Sequence, residues 1–163
     1  MTFKKILTLA GLAVCASVVL GMSVQAAEKT KAAFVYVGPI GDHGWSYQHH
    51  EGLKAVEKAF GDKIETTYVE SVSEGPDAER VIRQLAQNGN QIIFTTSFGY
   101  MNPTLKVAKA FPKVKFEHST GFKRSANVAT YNARFYEGRY VAGLVAGKMT
   151  KSNTIGYIAS FPI

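Results

Sequence analysis

The sequence predicts an α/β fold, a parallel sheet flanked by helices. Two observations predict it. Short apolar runs rich in β-formers alternate with segments of helical periodicity along most of the 163 residues. The first run, residues 32–37 (AAFVYV), is also continuous in apolar character, as a strand covered on both faces is, whereas one-sided strands alternate. Strands that alternate with helices imply crossover connections, and so a parallel sheet.

The elements follow in order. Residues 32–37 (AAFVYV) form the first strand, and residues 46–60 the first helix, with Leu53, Val56 and Phe60 on one face and Lys54, Glu57 and Lys58 opposite. Residues 63–71 are a second strand. Glu74-Gly75-Pro76-Asp77 opens the next helix: proline suits a first turn, and Asp77 and Glu79 suit its positive end. Ala78, Val81, Ile82, Leu85 and Ala86 are its buried stripe, and Asn88-Gly89-Asn90 stops it. Residues 91–97 (QIIFTTS) are the third strand. Asn102-Pro103 reads as a cap and first helical residue of a helix through Leu105, Val107, Ala108 and Phe111. Residues 113–119 and 127–131 are the fourth and fifth strands. Residues 136–149 are helical, with Tyr140, Val141, Leu144 and Val145 expected buried. Residues 154–160 (TIGYIAS) are expected to be a last strand. A parallel strand is expected to feed another crossover, and none follows Phe161-Pro162-Ile163. The expectation is a truncated chain.

The N-terminus reads as an export signal. Lys4 and Lys5 precede an apolar run over residues 6–24, which closes on Val24-Gln25-Ala26. Residues 1–26 are the expected signal peptide, with cleavage after Ala26 or, as the near alternative, Ala27. The competing reading is a membrane anchor, since the run is roughly long enough to span a bilayer. The basic start, Gly11, Gly21 and the small-residue end favour cleavage. Cys15, the single cysteine, lies inside the run behind the branched Val14, so a lipid-attachment site is not expected there. Without Cys15 the mature chain has no disulfide and no thiolate site.

Composition excludes several function classes. The 137 residues from Ala27 onward carry 17 basic and 12 acidic side chains. The basic ones, among them Lys54, Lys58, Lys63, Lys106, Lys109, Lys113, Lys115, Lys123 and Arg124, are scattered over helix faces and strand edges. No basic stripe interleaved with aromatics marks a nucleic-acid surface. No G-x-G-x-x-G follows the first strand, and neither a P-loop nor G-x-S-x-G is present. An enzyme is therefore not expected, nor is a cofactor. His49-His50 are adjacent on a helix and do not face one side, so no metal site is expected. His118 lies in a strand and is expected to be a hydrogen-bonded structural residue.

Ligands of open parallel sheets bind beyond the carboxyl ends of strands, where strand order reverses. With order 2-1-3-4, the loops after the first and third strands are neighbours. The first carries Gly38, Gly41, Asp42, Gly44, Trp45, Ser46 and Tyr47 and ends at a helix N-terminus. Asp42 either accepts hydrogen bonds from a ligand or caps the loop. Trp45, the single tryptophan, either stacks on a planar ring or packs under the loop. The second loop carries Ser97, Phe98 and Tyr100, whose aromatics are either a facing wall or ordinary loop packing. Candidate ligand-binding residues are Gly41, Asp42, Trp45, Ser46, Tyr47, Ser97, Phe98 and Tyr100.

Three stretches together, residues 41–47 (GDHGWSY), 94–101 (FTTSFGYM) and 136–143 (YEGRYVAG), resemble the basic membrane protein family. These are substrate-binding proteins of ABC transporters. Trp45 stands where the family commonly has phenylalanine, which keeps an aromatic wall. The resemblance implies a type I periplasmic-binding-protein-like fold: two α/β lobes, a hinge of several crossings, and closure on a ligand between them. It implies a first lobe over residues 27–131, with residues 132–163 as a hinge crossing and the incomplete start of a second lobe. It implies a purine nucleoside or nucleobase as ligand, an ABC permease in the inner membrane as partner, a periplasmic location, and a monomer when complete. The alternatives are a ligand-sensing receptor subunit for signalling and a binder of another planar or sugar-like solute. Sugar-sensing repressors share the fold but begin with a DNA-binding helix pair, and here a signal stands in that place.

Overall fold

The computed structural model describes residues 28–162. The expected signal peptide and Cys15 lie outside the described residues. Five strands, β1 (Thr30–Val35), β2 (Ile64–Val69), β3 (Ile92–Thr95), β4 (Lys115–Ser119) and β5 (Val128–Tyr131), form one sheet in the order β2-β1-β3-β4-β5. Every neighbouring pair is parallel. The helices between them are α1 (Trp45–Phe60), α2 (Pro76–Gln87) and α3 (Met101–Ala110), and α4 (Phe135–Met149) follows β5.

The sheet is apolar on both faces because its strands alternate between two cores. Ala33 and Val35 of β1, with Ile93, Phe116 and Val128, point to the face covered by α2 and α3. The stripe expected on α2 is fully buried there, together with Val107 and Ala108 of α3. Glu79 joins the two helices, accepting from Arg83 at 3.0 Å and Lys106 at 2.8 Å. On the other face Ala32, Phe34 and Tyr36 pack on Leu53 of α1. Phe34 and Phe94 are register partners, and their rings stack at 4.6 Å. Phe60, expected on the buried face of α1, is 54% exposed as the last residue of the helix, directly before the 3-10 turn at Gly61–Lys63.

Three other expectations are corrected. Residues 154–160 form no strand, because no neighbouring strand is there to pair with them among the described residues. Tyr140, Val141, Leu144 and Val145 are exposed and α4 has no buried residue, since no other described element packs over its apolar face. Asn102 does not cap α3. A 3-10 turn at Phe98–Tyr100 runs straight into the helix, and the Asn102 side chain accepts from Lys123 at 3.1 Å instead. Pro103 then sits within the first turn, where its missing N–H would have had no partner anyway.

Candidate functional site

All five strands are parallel, so their carboxyl ends lie along one edge, and a cavity of about 710 Å³ opens there. That is within the ordinary size of a small-molecule site, roughly 300–1,000 Å³. Each strand contributes through the segment that follows it: Val37 after β1, Glu74 after β2, Ser97 and Phe98 after β3, Thr120 after β4, and Asn132 after β5. Phe135 and Arg139 of α4, with Ser160 and Phe161, supply the remaining side.

The walls are largely aromatic. Trp45 is the first residue of α1, and its indole N–H donates to the carbonyl oxygen of Thr96. One edge of the ring is thereby fixed, while the side chain stays 36% exposed at the cavity. His49, one turn along α1, meets the indole edge-on at 4.8 Å, and Phe135 lies 5.7 Å away. Burial lowers the His49 pKa from its ordinary value, which disfavours a charged ring beside the indole. Phe98 lies between Phe161 at 4.9 Å and Phe122 at 6.3 Å.

The polar wall centres on Glu74. Its Oε1 accepts from the Ser97 hydroxyl and from the Gly99 N–H at 3.2 Å, tying the loop after β2 to the loop after β3. Gly99 is required by this approach. A Cβ there would stand 2.1 Å from the Glu74 carboxyl carbon.

Of the eight candidate residues, Trp45, Ser97 and Phe98 line the cavity, and five do not. Tyr100 is fully buried in the core, and its hydroxyl donates to the Val72 carbonyl at 2.6 Å, so it holds the loop from beneath. Burial pushes its phenol above the usual range. Ser46 is buried and accepts from the Gly38 N–H at 3.0 Å. Asp42 is exposed and accepts from the Gly44 N–H at 2.8 Å, an internal cap of the loop. Tyr47 packs on His43 at 4.7 Å, and Gly41 has open space around its Cα. His49 and His50 diverge: His49 faces Trp45 and Tyr131, and His50 faces Tyr36 and Tyr68.

Sequence reasoning missed Glu74, Thr120, Asn132, Phe135 and Arg139. It attended only to the two loops at the reversal of strand order. For Glu74 a signal existed: an acidic residue in the loop between the second strand and its helix, directly before Gly75-Pro76.

Comparison with known proteins places this geometry. A "Purine-binding protein" of Brucella abortus is 57% identical over 152 residues, which are 93% of this chain and 43% of that protein. A protein of Haloferax volcanii, named as an ABC transporter glucose-binding protein, is 46% identical over 136 residues, 83% of this chain and 34% of its own. This chain thus spans less than half the length of these curated relatives. The solved structure of an ABC transporter solute-binding protein from Conexibacter woesei superposes with a TM-score of 0.60 at 27% identity, covering 72% of this chain and 40% of that one. Residues 29–163 match the family model described as "ABC transporter substrate-binding protein PnrA-like", and the chain belongs to that family, Bmp.

Proposed function

We propose that this chain belongs to an exported solute receptor of an ABC importer, one that holds a purine nucleoside or nucleobase between two lobes. One observation carries the reading. The cavity at the carboxyl edge of all five strands is lined by Trp45, Phe98 and Phe135 together with a polar wall at Glu74 and Ser97. Aromatic faces take planar bases by stacking, and the polar wall takes their hydrogen-bonding edge. The purine-binding name of the Brucella relative supports the same class.

Residues 27–131 are the first lobe in this reading, and residues 132–163 are a hinge crossing and the beginning of the second. The second lobe closes the open side of the cavity and covers the exposed face of α4. The receptor works outside the inner membrane and delivers its ligand to the permease. No helix among the described residues is long and apolar enough to cross a membrane. N-terminal sequencing of the secreted protein should then begin at Ala27 or within a residue or two of it.

A sugar is the second reading, favoured by the glucose-binding name of the Haloferax relative. Calorimetry with adenosine, adenine and D-glucose separates the two. It should be run on this chain and on one extended to the relatives' length. The extended protein should bind a purine tightly and glucose weakly, and the 163-residue chain should bind either poorly. Tight glucose binding without purine binding would overturn the purine assignment. Equal, tight binding by both chains would overturn the two-lobe site.

A further inference from the structure

Glu74 is held in a way that the packing of the lobe does not require. It lies on an exposed loop between β2 and α2, outside both apolar cores. Its carboxylate nevertheless reaches the loop after β3 and takes two donors on one oxygen, Oε1. Among the described residues no donor meets Oε2, and Glu74 lines the cavity. Gly99 leaves room for this: a Cβ at that position would stand 2.2 Å from Oε2.

The neighbouring polar groups sharpen the chemistry. The Ser97 hydroxyl has one proton, and it is committed to Glu74 Oε1, so toward the cavity Ser97 offers only lone pairs. The Thr96 carbonyl is occupied by the Trp45 indole. Arg139 also lines the cavity, with its guanidinium 5.0 Å from the centre of the Tyr157 ring, and among the described residues no ion pair joins it to Glu74. The wall beside Trp45 and Phe98 therefore presents acceptors.

We propose that Glu74 is the specificity-determining residue of the site: its Oε2, with Ser97 Oγ beside it, accepts hydrogen bonds from a donor-bearing edge of the ligand. That edge is either the exocyclic amine of a base or the vicinal hydroxyls of a ribose. A ligand that turns lone pairs to this wall is rejected, because buried acceptors facing acceptors lose their water without gaining a partner. The proposal rests on this cavity being the purine site of the receptor.

The test uses the protein extended to its relatives' length, as wild type, Glu74→Gln and Gly99→Ala. The glutamine keeps the volume and replaces one acceptor with a donor. The three atoms nearest the added methyl of Gly99→Ala all belong to the Glu74 carboxylate, the far end of a flexible side chain, so the methyl should displace that carboxylate and spare the fold, which circular dichroism verifies. Calorimetry uses three probes: adenosine; inosine, in which a carbonyl replaces the amine; and 2′,3′-dideoxyadenosine, which lacks the diol. Both variants should lose about tenfold or more in adenosine affinity, the scale of a lost hydrogen bond to a charged group. The loss should disappear for one probe: inosine if Glu74 reads the amine, dideoxyadenosine if it reads the diol. Equal losses on all three would reduce Glu74 to a brace for the β3 loop, and no loss on any would remove it from the site; either overturns the proposal. Wild-type protein that binds none of the three sinks the purine reading and the proposal with it, so the two failures look different.

Discussion

The indole N–H of Trp45 donates to the backbone carbonyl of Thr96, which ties the first residue of α1 to the end of β3. Thr96 is itself anchored, its hydroxyl donating to the Val35 carbonyl at 2.8 Å and its N–H to the same oxygen at 3.2 Å. The ring is thus oriented through backbone from both strands that flank the reversal of strand order. The packing and ligand roles of a tryptophan here are compatible: the N–H edge is bonded, and the residue still lines the cavity at 36% exposure. A side chain fixed before the ligand arrives loses little freedom on binding.

Trp45→Ala should therefore weaken purine binding by the receptor by ~1–3 kcal/mol, the usual scale for base–aromatic stacking. Trp45→Phe should lose less, because it keeps a ring and gives up only the hydrogen bond to Thr96. Isothermal titration of both variants checks this. Unchanged affinity in Trp45→Ala would leave the residue with packing alone.

Tyr100 predicts the reverse pattern. Its hydroxyl is buried and satisfies the Val72 carbonyl, which belongs to the loop that also carries Glu74. Tyr100→Phe leaves that carbonyl without its partner, at a cost of ~1–3 kcal/mol of folding stability. Ligand affinity of the folded molecules should stay the same. Urea unfolding and calorimetry together decide it, and a loss of affinity at unchanged stability would put the phenol in the site.

The strand order and the α2 stripe were legible because both follow from periodicity and connectivity, which local sequence carries. Trp45 and Ser97 were legible as neighbours for the same reason: strand order places their loops side by side. For Tyr100 the sequence left wall and packing open, because a loop aromatic looks alike whether it points outward or inward, and the 3-10 turn at Phe98–Tyr100 goes with its burial in the core. The stripe on α4 was read correctly as apolar, but its burial depends on what lies against it, and periodicity cannot supply that. Glu74 and Phe135 line the cavity through tertiary approach of segments far apart in sequence, with Glu74 and Gly99 25 positions from each other.

His118 gives the fold a pH dependence whose sign can be stated. It is buried beside Thr95, its register partner across β3 and β4, with Nδ1 3.0 Å from the threonine hydroxyl. Among the described residues the buried Nε2 has no partner, and it faces Gly121, where a Cβ would stand 2.5 Å from it. Burial disfavours the charged ring and lowers its pKa from 6.5, against a smaller opposing effect of the Thr95 hydrogen bond. His49 is lowered in the same direction, also by burial. Well above pH 6.5, His49 and His118 are neutral in both folded and unfolded chains, and stability should not vary with their titration. Below it the unfolded chain binds protons that the folded chain does not, so stability falls as pH falls, until the folded pKa is passed. Urea midpoints measured from pH 7.5 to about 5, above the range where carboxylates titrate, should decline below pH 6.5. His118→Asn should flatten part of that decline, leaving the share that belongs to His49. A profile flat through this window in the unmodified protein, or one of the same slope in His118→Asn, would show that the imidazole accepts its proton inside the fold as readily as in the unfolded chain.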